Sequence, residues 1–248
     1  MRILAFHNLK GGVGKTAAAV NIAYLAAQAG IPTLLWDLDP QGAASWYLGD
    51  DPDVSGEKVS RLIKGKTPVG KLIHDTPYEK LDLIPAHSSF RNLDVKLAQG
   101  EGDGALKSWL DPLSEDYGLV ILDCPPSLSH LAEQVLATAD QVFVPTIPTW
   151  LSANSWQQLH DFMKEKKLKP AKLHPFLSLV DRRKNLHRQA LEGDVFELKR
   201  KMRAYIPYAS DIERMGETRQ PVPVMAPRSA AAHAYRLLWQ EMRRIARL

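Results

Sequence analysis

The chain has 248 residues, 45% of them apolar and 24% charged, enough to bury the core of one large α/β domain without covalent staples. A single cysteine, Cys124, excludes a disulfide framework and a cysteine-based metal cluster and suits a reducing compartment. The formal charge of +4 is a mild bias towards polyanions, and no apolar run approaches the roughly 20 residues that cross a bilayer.

In chain order, Ile3-Leu4-Ala5-Phe6 reads as a buried parallel strand. Its shortness, leading directly into a glycine loop, argues against a secretory signal. Lys10-Gly11-Gly12-Val13-Gly14-Lys15-Thr16 follows, and Ala17 to Ala29 reads as a helix stopped by Gly30 and Pro32. A strand, a glycine loop and a helix opening on Gly-Lys-Thr make a phosphate-binding architecture. Glycines let backbone N–H groups point inward at phosphate oxygens. The helix N-terminus adds its partial positive charge. The phosphate cradle is therefore Gly11, Gly12, Val13, Gly14, Lys15, Thr16 and Ala17. Lys15 neutralises the β- and γ-phosphates, and the Thr16 hydroxyl completes a Mg²⁺ shell.

Thr33-Leu34-Leu35-Trp36 is the next strand. It runs into Asp37-Leu38-Asp39-Pro40-Gln41-Gly42, two carboxylates where ligands bind in open α/β sheets. Asp50 to Glu57 reads as a surface loop. Short helical pieces are expected over Val59 to Ile63 and Val69 to Ile73, and a strand over Leu81 to Pro85. Helices are expected over Ser89 to Leu97 and Leu106 to Leu113, separated by a glycine-rich turn at Gly100 to Gly104. Leu119-Val120-Ile121-Leu122-Asp123 has the form of a Walker B strand, delivering an acidic tip beside the phosphate loop. A helix over Leu128 to Ala139, a strand over Val142 to Thr146, a helix capped by Ser152 through about Lys164 and a strand over Leu173 to Val180 follow. The chain closes in a helix from Ser229 to about Arg247. Its apolar residues 231, 235, 238, 242 and 245 share one face, and Arg236, Arg243 and Arg247 lie on another. The sustained βα alternation predicts one domain over residues 1–248, with a mostly parallel central sheet covered by helices on both faces.

The general phosphate-loop pattern asks for a glycine five residues before Gly14, where Leu9 stands. A second lysine, Lys10, heads the loop instead. This deviant Walker A form resembles the ParA/MinD family of ATPases, as do Asp37-Leu38-Asp39-Pro40-Gln41-Gly42 and Asp123-Cys124-Pro125-Pro126. The resemblance implies ATP and Mg²⁺ as cofactors and a homodimer that sandwiches ATP. In it Thr16, Asp37 and Asp123 organise Mg²⁺, Asp39 orients the attacking water, and Lys10 reaches the partner's nucleotide. Pro207 and Tyr208 stand where the family walls the adenine. Asp181-Arg182-Arg183-Lys184-Asn185-Leu186 resembles a family Asp-x-Arg-x-x-Leu segment.

ParA-branch members bind DNA without sequence preference. The basic candidates for such a surface are Arg182, Arg183, Lys184, Lys199, Arg200, Arg203, Arg243, Arg244 and Arg247. Asp211 stands where the family often has a basic residue, and Arg214 and Arg219 lie close enough in sequence to replace it. Because the first strand begins at residue 2, no preceding helix-turn-helix region is expected. The resemblance further implies a cytoplasmic protein, nucleoid-associated in its ATP state, with slow hydrolysis stimulated by an adaptor protein. Alternatives are a MinD-like membrane-cycling ATPase using the basic C-terminal helix, a metabolic P-loop kinase or ligase, and a nucleotide-gated scaffold. An iron–sulfur reductase is disfavoured, because one cysteine per subunit cannot supply four ligands to a bridging cluster.

Overall fold

The computed structural model describes residues 1–49, 61–62, 64–87 and 104–248. The loop expected over 50–57 and the helix expected over 89–97 lie outside the described residues, as do most of the piece expected over 59–63 and most of the glycine-rich turn over 100–104.

Among the described residues, seven strands form one sheet: β1 (Arg2–Phe6), β2 (Thr33–Asp37), β3 (His74–Asp75), β4 (Leu81–Ile84), β5 (Leu119–Asp123), β6 (Gln141–Thr146) and β7 (Leu173–Leu177). Their spatial order is β3-β4-β2-β5-β1-β6-β7. Every pairing is parallel except the short β3 against β4. Strand β3 is not among the expected elements, because two residues are too few to carry a period.

The parallel strands are apolar throughout because both faces are covered, and alternate residues feed two cores. Ile3, Ala5, Leu34, Trp36, Val120 and Leu122 pack on one face against α3 (Ala105–Leu110), α4 (His130–Thr138) and α5 (Trp150–Glu165). Leu4, Phe6, Leu35, Leu119, Ile121 and Phe143 pack on the other against α1 (Lys15–Gln28) and the C-terminal α10 (Ala230–Ala246). Nearly every side chain of α1 is buried. Alanine suits that position, since it admits the sheet on one side and α10 on the other at little side-chain entropy. Ala231, Tyr235, Leu238 and Met242 of α10 are buried in this second core.

Local differences from the expected boundaries have local causes. The helix expected over 106–113 ends at Leu110 and continues as a 3₁₀ turn over Asp111–Ser114, where Pro112 lacks a donor. The cap of α5 is Thr149, whose hydroxyl accepts the Ser152 N–H at 3.3 Å; Ser152 is buried in the first turn and is not the cap. The α4 helix starts at His130, capped by Ser129. β7 stops at Leu177 rather than Val180, because Leu179 turns to a φ of +52°. The 206–208 segment then runs alongside: Ile206 N–H donates to Leu177 O, Val180 N–H to Ile206 O and Tyr208 N–H to Val180 O. Beyond it lie three short helices, α7 (Ser210–Glu213), α8 (Met215–Thr218) and α9 (Val222–Met225). Asn21 fastens α9 to α1, accepting the Val222 N–H at 2.8 Å.

Candidate functional site

The phosphate-loop candidate joins the C-terminal end of β1 to the start of α1. Buried Asn8 sets its entry: the Asn8 side-chain amide donates to Pro145 O at the end of β6 (2.8 Å), and its Oδ1 accepts the Lys10 N–H (3.0 Å). Gly14 caps α1 at a φ of +88°, and a Cβ there would stand 3.0 Å from Ser178 Oγ. Only glycine meets both conditions without strain. No side chain caps α1 and no acidic residue sits in its first turn, so its leading N–H groups face the loop ready for an anion.

Strand register decides the rest. Asp37 pairs with Asp123 across β2 and β5, so the two carboxylates share a sheet face, with backbones about 4.8 Å apart. Counting alternation from Leu35 and Ile121, that face is the one covered by α1. Both carboxylates are fully buried. Asp37 is engaged: its Oδ2 accepts from Ser45 N (2.9 Å) and Ser45 Oγ (2.8 Å), and its Oδ1 from Asp39 N (3.2 Å). Burial pushes its pKa up to about 6 despite these bonds, with the Asp39 charge adding to the rise. Neither oxygen of Asp123 makes a well-formed hydrogen bond. Burial, then the Asp37 charge, raise its pKa well above the usual carboxylate range, while the nearby Thr16 hydroxyl and Lys15 pull it back. A buried carboxylate so poorly compensated is costly by itself. It is the donor set that a hard cation completes.

Lys15 is buried and donates from Nζ to Lys10 O at 3.1 Å. Burial lowers its pKa, and Asp123, Cys124 and Asp39 oppose that shift. A cavity of about 380 Å³ opens directly above. Its floor is Gly11, Gly12, Gly14, Lys15, Thr16 and Ala17. Asp39, Ala43 and Tyr47 form one wall, and Leu179, Tyr208, Ile212 and Glu213 the other, with Pro126 between. Tyr208 lines the cavity and bonds Glu213 through its hydroxyl (2.9 Å). Pro207 does not line it; it bridges to Val180 and so sets where Tyr208 stands. A groove of similar volume, about 390 Å³, lies between the far end of α1 and the turn before β4, away from every candidate residue.

These residues fit Mg²⁺ and a nucleotide triphosphate. Thr16, Lys15 and the uncapped start of α1 line the cavity floor, and the buried Asp123 carboxylate, its oxygens orphaned, lies next to Thr16 and Lys15. Among the described residues no three His, Cys, Asp or Glu side chains converge as an all-protein metal cage. That agrees with a cation held chiefly by phosphate oxygens and one or two side chains.

The family model for the AAA domain, AAA_31, matches residues 1–174. The chromosome partitioning protein ParA of Myxococcus xanthus is 34% identical over 77% of this chain and 69% of its own length. The sporulation initiation inhibitor protein Soj of Bacillus subtilis is 30% identical over 97% of this chain and 98% of its own. The chain belongs to the ParA/MinD family of ATPases. Among solved structures, the cobyrinic acid a,c-diamide synthase of Mycobacterium smegmatis, with bound ATP analogue and magnesium, superposes with a TM-score of 0.79. It is 29% identical, over 98% of this chain and 95% of that one.

Within this ParA/MinD frame, the basic candidates do not form one patch. Arg182, Arg183 and Lys184 follow the C-terminal end of β7, on the phosphate-loop side. Arg183 is committed to a two-point ion pair with Asp181, both contacts at 2.9 Å. Lys199 and Arg200 line a small hollow with Pro170 and Leu173, at the opposite end of β7, about 16 Å away along a five-residue strand. Arg203 offers its backbone N–H to Glu241. Arg243 and Arg244 bond carbonyls of Leu248 and Gln240, and Arg247 ends α10. Arg214 lies 3.9 Å from Glu217, and Arg219 stacks on Trp46.

Sequence reasoning missed Asn8, Ser45, Tyr47, Leu179 and Glu213 as site residues. It also missed buried His7, whose Nε2–H donates to Ser127 O in the loop after β5 (3.0 Å) and whose Nδ1 has no partner. Asn8 alone had a visible signal, an asparagine entering a glycine turn.

Proposed function

We propose that this chain is a Mg²⁺-dependent ParA-like ATPase that dimerises around ATP, binds DNA without sequence preference in that state, and so positions or partitions a cargo. The cargo is a plasmid, a chromosome region or a protein assembly. The observation that carries the dimer is Lys10. Its backbone is bonded on both sides, by Asn8 Oδ1 and Lys15 Nζ, while its ammonium has no partner among the described residues. A fixed backbone with an unspent cation is what a residue acting on a second subunit's nucleotide requires.

Within one subunit, the α1 N–H groups and Lys15 bind the β- and γ-phosphates. Thr16, Asp37 and Asp123 organise Mg²⁺, which when bound neutralises charge on the phosphate oxygens. Asp37 shapes this arrangement through Ser45, and Asp39 at the cavity wall orients the attacking water. Hydrolysis is slow until a partner protein completes the site, and the ATP-bound dimer resides on the nucleoid. A membrane-cycling reading has less support, since the apolar face of α10 is spent against α1; no helix among the described residues is long and apolar enough to cross a membrane.

The test is binding to random-sequence duplex DNA with ATP or ADP across a salt series. ATP-dependent binding that weakens steeply with salt is the expected result. Equal binding in both nucleotide states, or none, overturns the DNA part of the reading.

A further inference from the structure

The two walls of the nucleotide cavity come from distant parts of the chain, and one side-chain pair joins them. Trp46 of α2 (Ala43–Tyr47) donates its indole N–H to Gly216 O of α8 at 2.9 Å, across 170 residues of sequence. The Arg219 guanidinium lies over the indole, 4.1 Å from the ring centre, and Arg219 Nε donates to Trp46 O at 3.1 Å. Both ends of the tryptophan are therefore held. Arg219 sits at a φ of +51°, a conformation unfavourable for any residue with a Cβ. That conformation closes α8, where the Arg219 N–H donates to Met215 O at 2.9 Å, and the indole adds a second hold on the same residue.

The position of Trp46 gives the pair its meaning. Its preceding residue, Ser45, holds Asp37 through two hydrogen bonds. Its following residue, Tyr47, lines the cavity and packs beside Gly216, where a Cβ would stand in ordinary contact with the Tyr47 ring at 3.8 Å. On the other side, α8 follows directly on the wall residues Tyr208, Ile212 and Glu213.

We propose that Trp46 and Arg219 form a clasp that keeps both walls of the cavity in their nucleotide-ready arrangement and, through Ser45, fixes the Asp37 carboxylate. They are positioning residues that touch neither phosphate nor metal, and the inference rests on the nucleotide-binding reading above. A cavity held assembled binds without first having to be assembled. Releasing the clasp populates an open form and weakens apparent affinity by the fraction of closed form lost.

The experiment is equilibrium titration with a fluorescent ATP analogue, with Mg²⁺ varied separately, in wild type, Trp46→Phe, Arg219→Ala, Arg219→Lys, the Trp46→Phe/Arg219→Ala double variant, and Lys15→Ala. Arg219→Ala is expected to weaken binding about tenfold, the factor set by losing one cation–π contact and one hydrogen bond. The Mg²⁺ concentration for half-maximal binding rises in the same variant, a shift that surface destabilisation alone would not produce. Arg219→Lys, which keeps a cation over the indole, recovers part of the affinity. The double variant falls short of the sum of the singles, because the two residues act as one unit. Affinities of Trp46→Phe and Arg219→Ala within about twofold of wild type overturn the clasp, a difference too small for a lost hydrogen bond. A wild-type protein that binds no nucleotide, or a Lys15→Ala variant that binds normally, overturns the reading of the site and the clasp with it.

Discussion

At the scale of single residues, the site is a collection of buried polar groups whose partners are incomplete. Asp123 has two oxygens without well-formed bonds, and Lys15 has only a backbone carbonyl. His7 is the sharpest case that the nucleotide chemistry does not use. Burial, together with the Lys15 charge, pushes its pKa down to about 4, against the bond to Ser127. A histidine with a depressed native pKa binds fewer protons folded than unfolded. Its contribution is intact above the unfolded pKa of about 6.5 and is lost as pH falls towards 4, amounting to about 3 kcal/mol over that window. His7→Gln, which keeps a donor for Ser127 O, is expected to flatten the acid limb of stability. Thermal midpoints measured from pH 7 to pH 4 read this directly, and a variant as acid-sensitive as wild type refutes it.

At the scale of elements, the phosphate loop is held by the end of a neighbouring strand. Asn8 joins the exit of β1 to the exit of β6 and fixes the Lys10 N–H. Asn8→Ala leaves Pro145 O without this donor inside the protein and Lys10 N–H without its acceptor. The expected loss is about 2 kcal/mol, or about 4–8 °C in thermal midpoint for a chain of this length. Nucleotide affinity should fall with it, since the loop loses the bond that sets its entry. Calorimetry and nucleotide titration on the same preparation would separate the two effects. An unchanged midpoint would show that the loop is held elsewhere.

At the scale of the whole molecule, the C-terminal ends of the central strands β2, β5 and β1 gather the chemistry, with half-buried Lys10 at the head of the loop. Lys10→Ala should bind ATP about as well as wild type but fail to form the ATP dimer, or form one that hydrolyses poorly, because a trans-acting cation stabilises charge the subunit cannot neutralise alone. Sizing with a slowly hydrolysed ATP analogue distinguishes the cases, and a normal, fully active dimer refutes the trans role. The basic residues make a contrasting point. They are spread over both ends of β7 and the end of α10, so total charge is a poor guide to where a polyanion docks.

Much of this was legible in the chain itself. The five-residue strands β1, β2 and β5, the glycine loop and the acidic strand tips follow from local rules, since short apolar runs, glycines needing positive φ and carboxylates after strands are all local features. The resemblance carried by Lys10-Gly11-Gly12-Val13-Gly14-Lys15-Thr16 named the family, and the comparisons bear it out. The tertiary structure alone decided three things. Strand order and register put Asp37 beside Asp123 on the α1 face. The pairing of 206–208 with the end of β7 brought Tyr208 to the cavity. The contact of Trp46 with Arg219 joined segments 173 residues apart. Each depends on which distant elements become neighbours, and that is fixed by the packing of two complete cores rather than by any pattern readable within a single window of sequence.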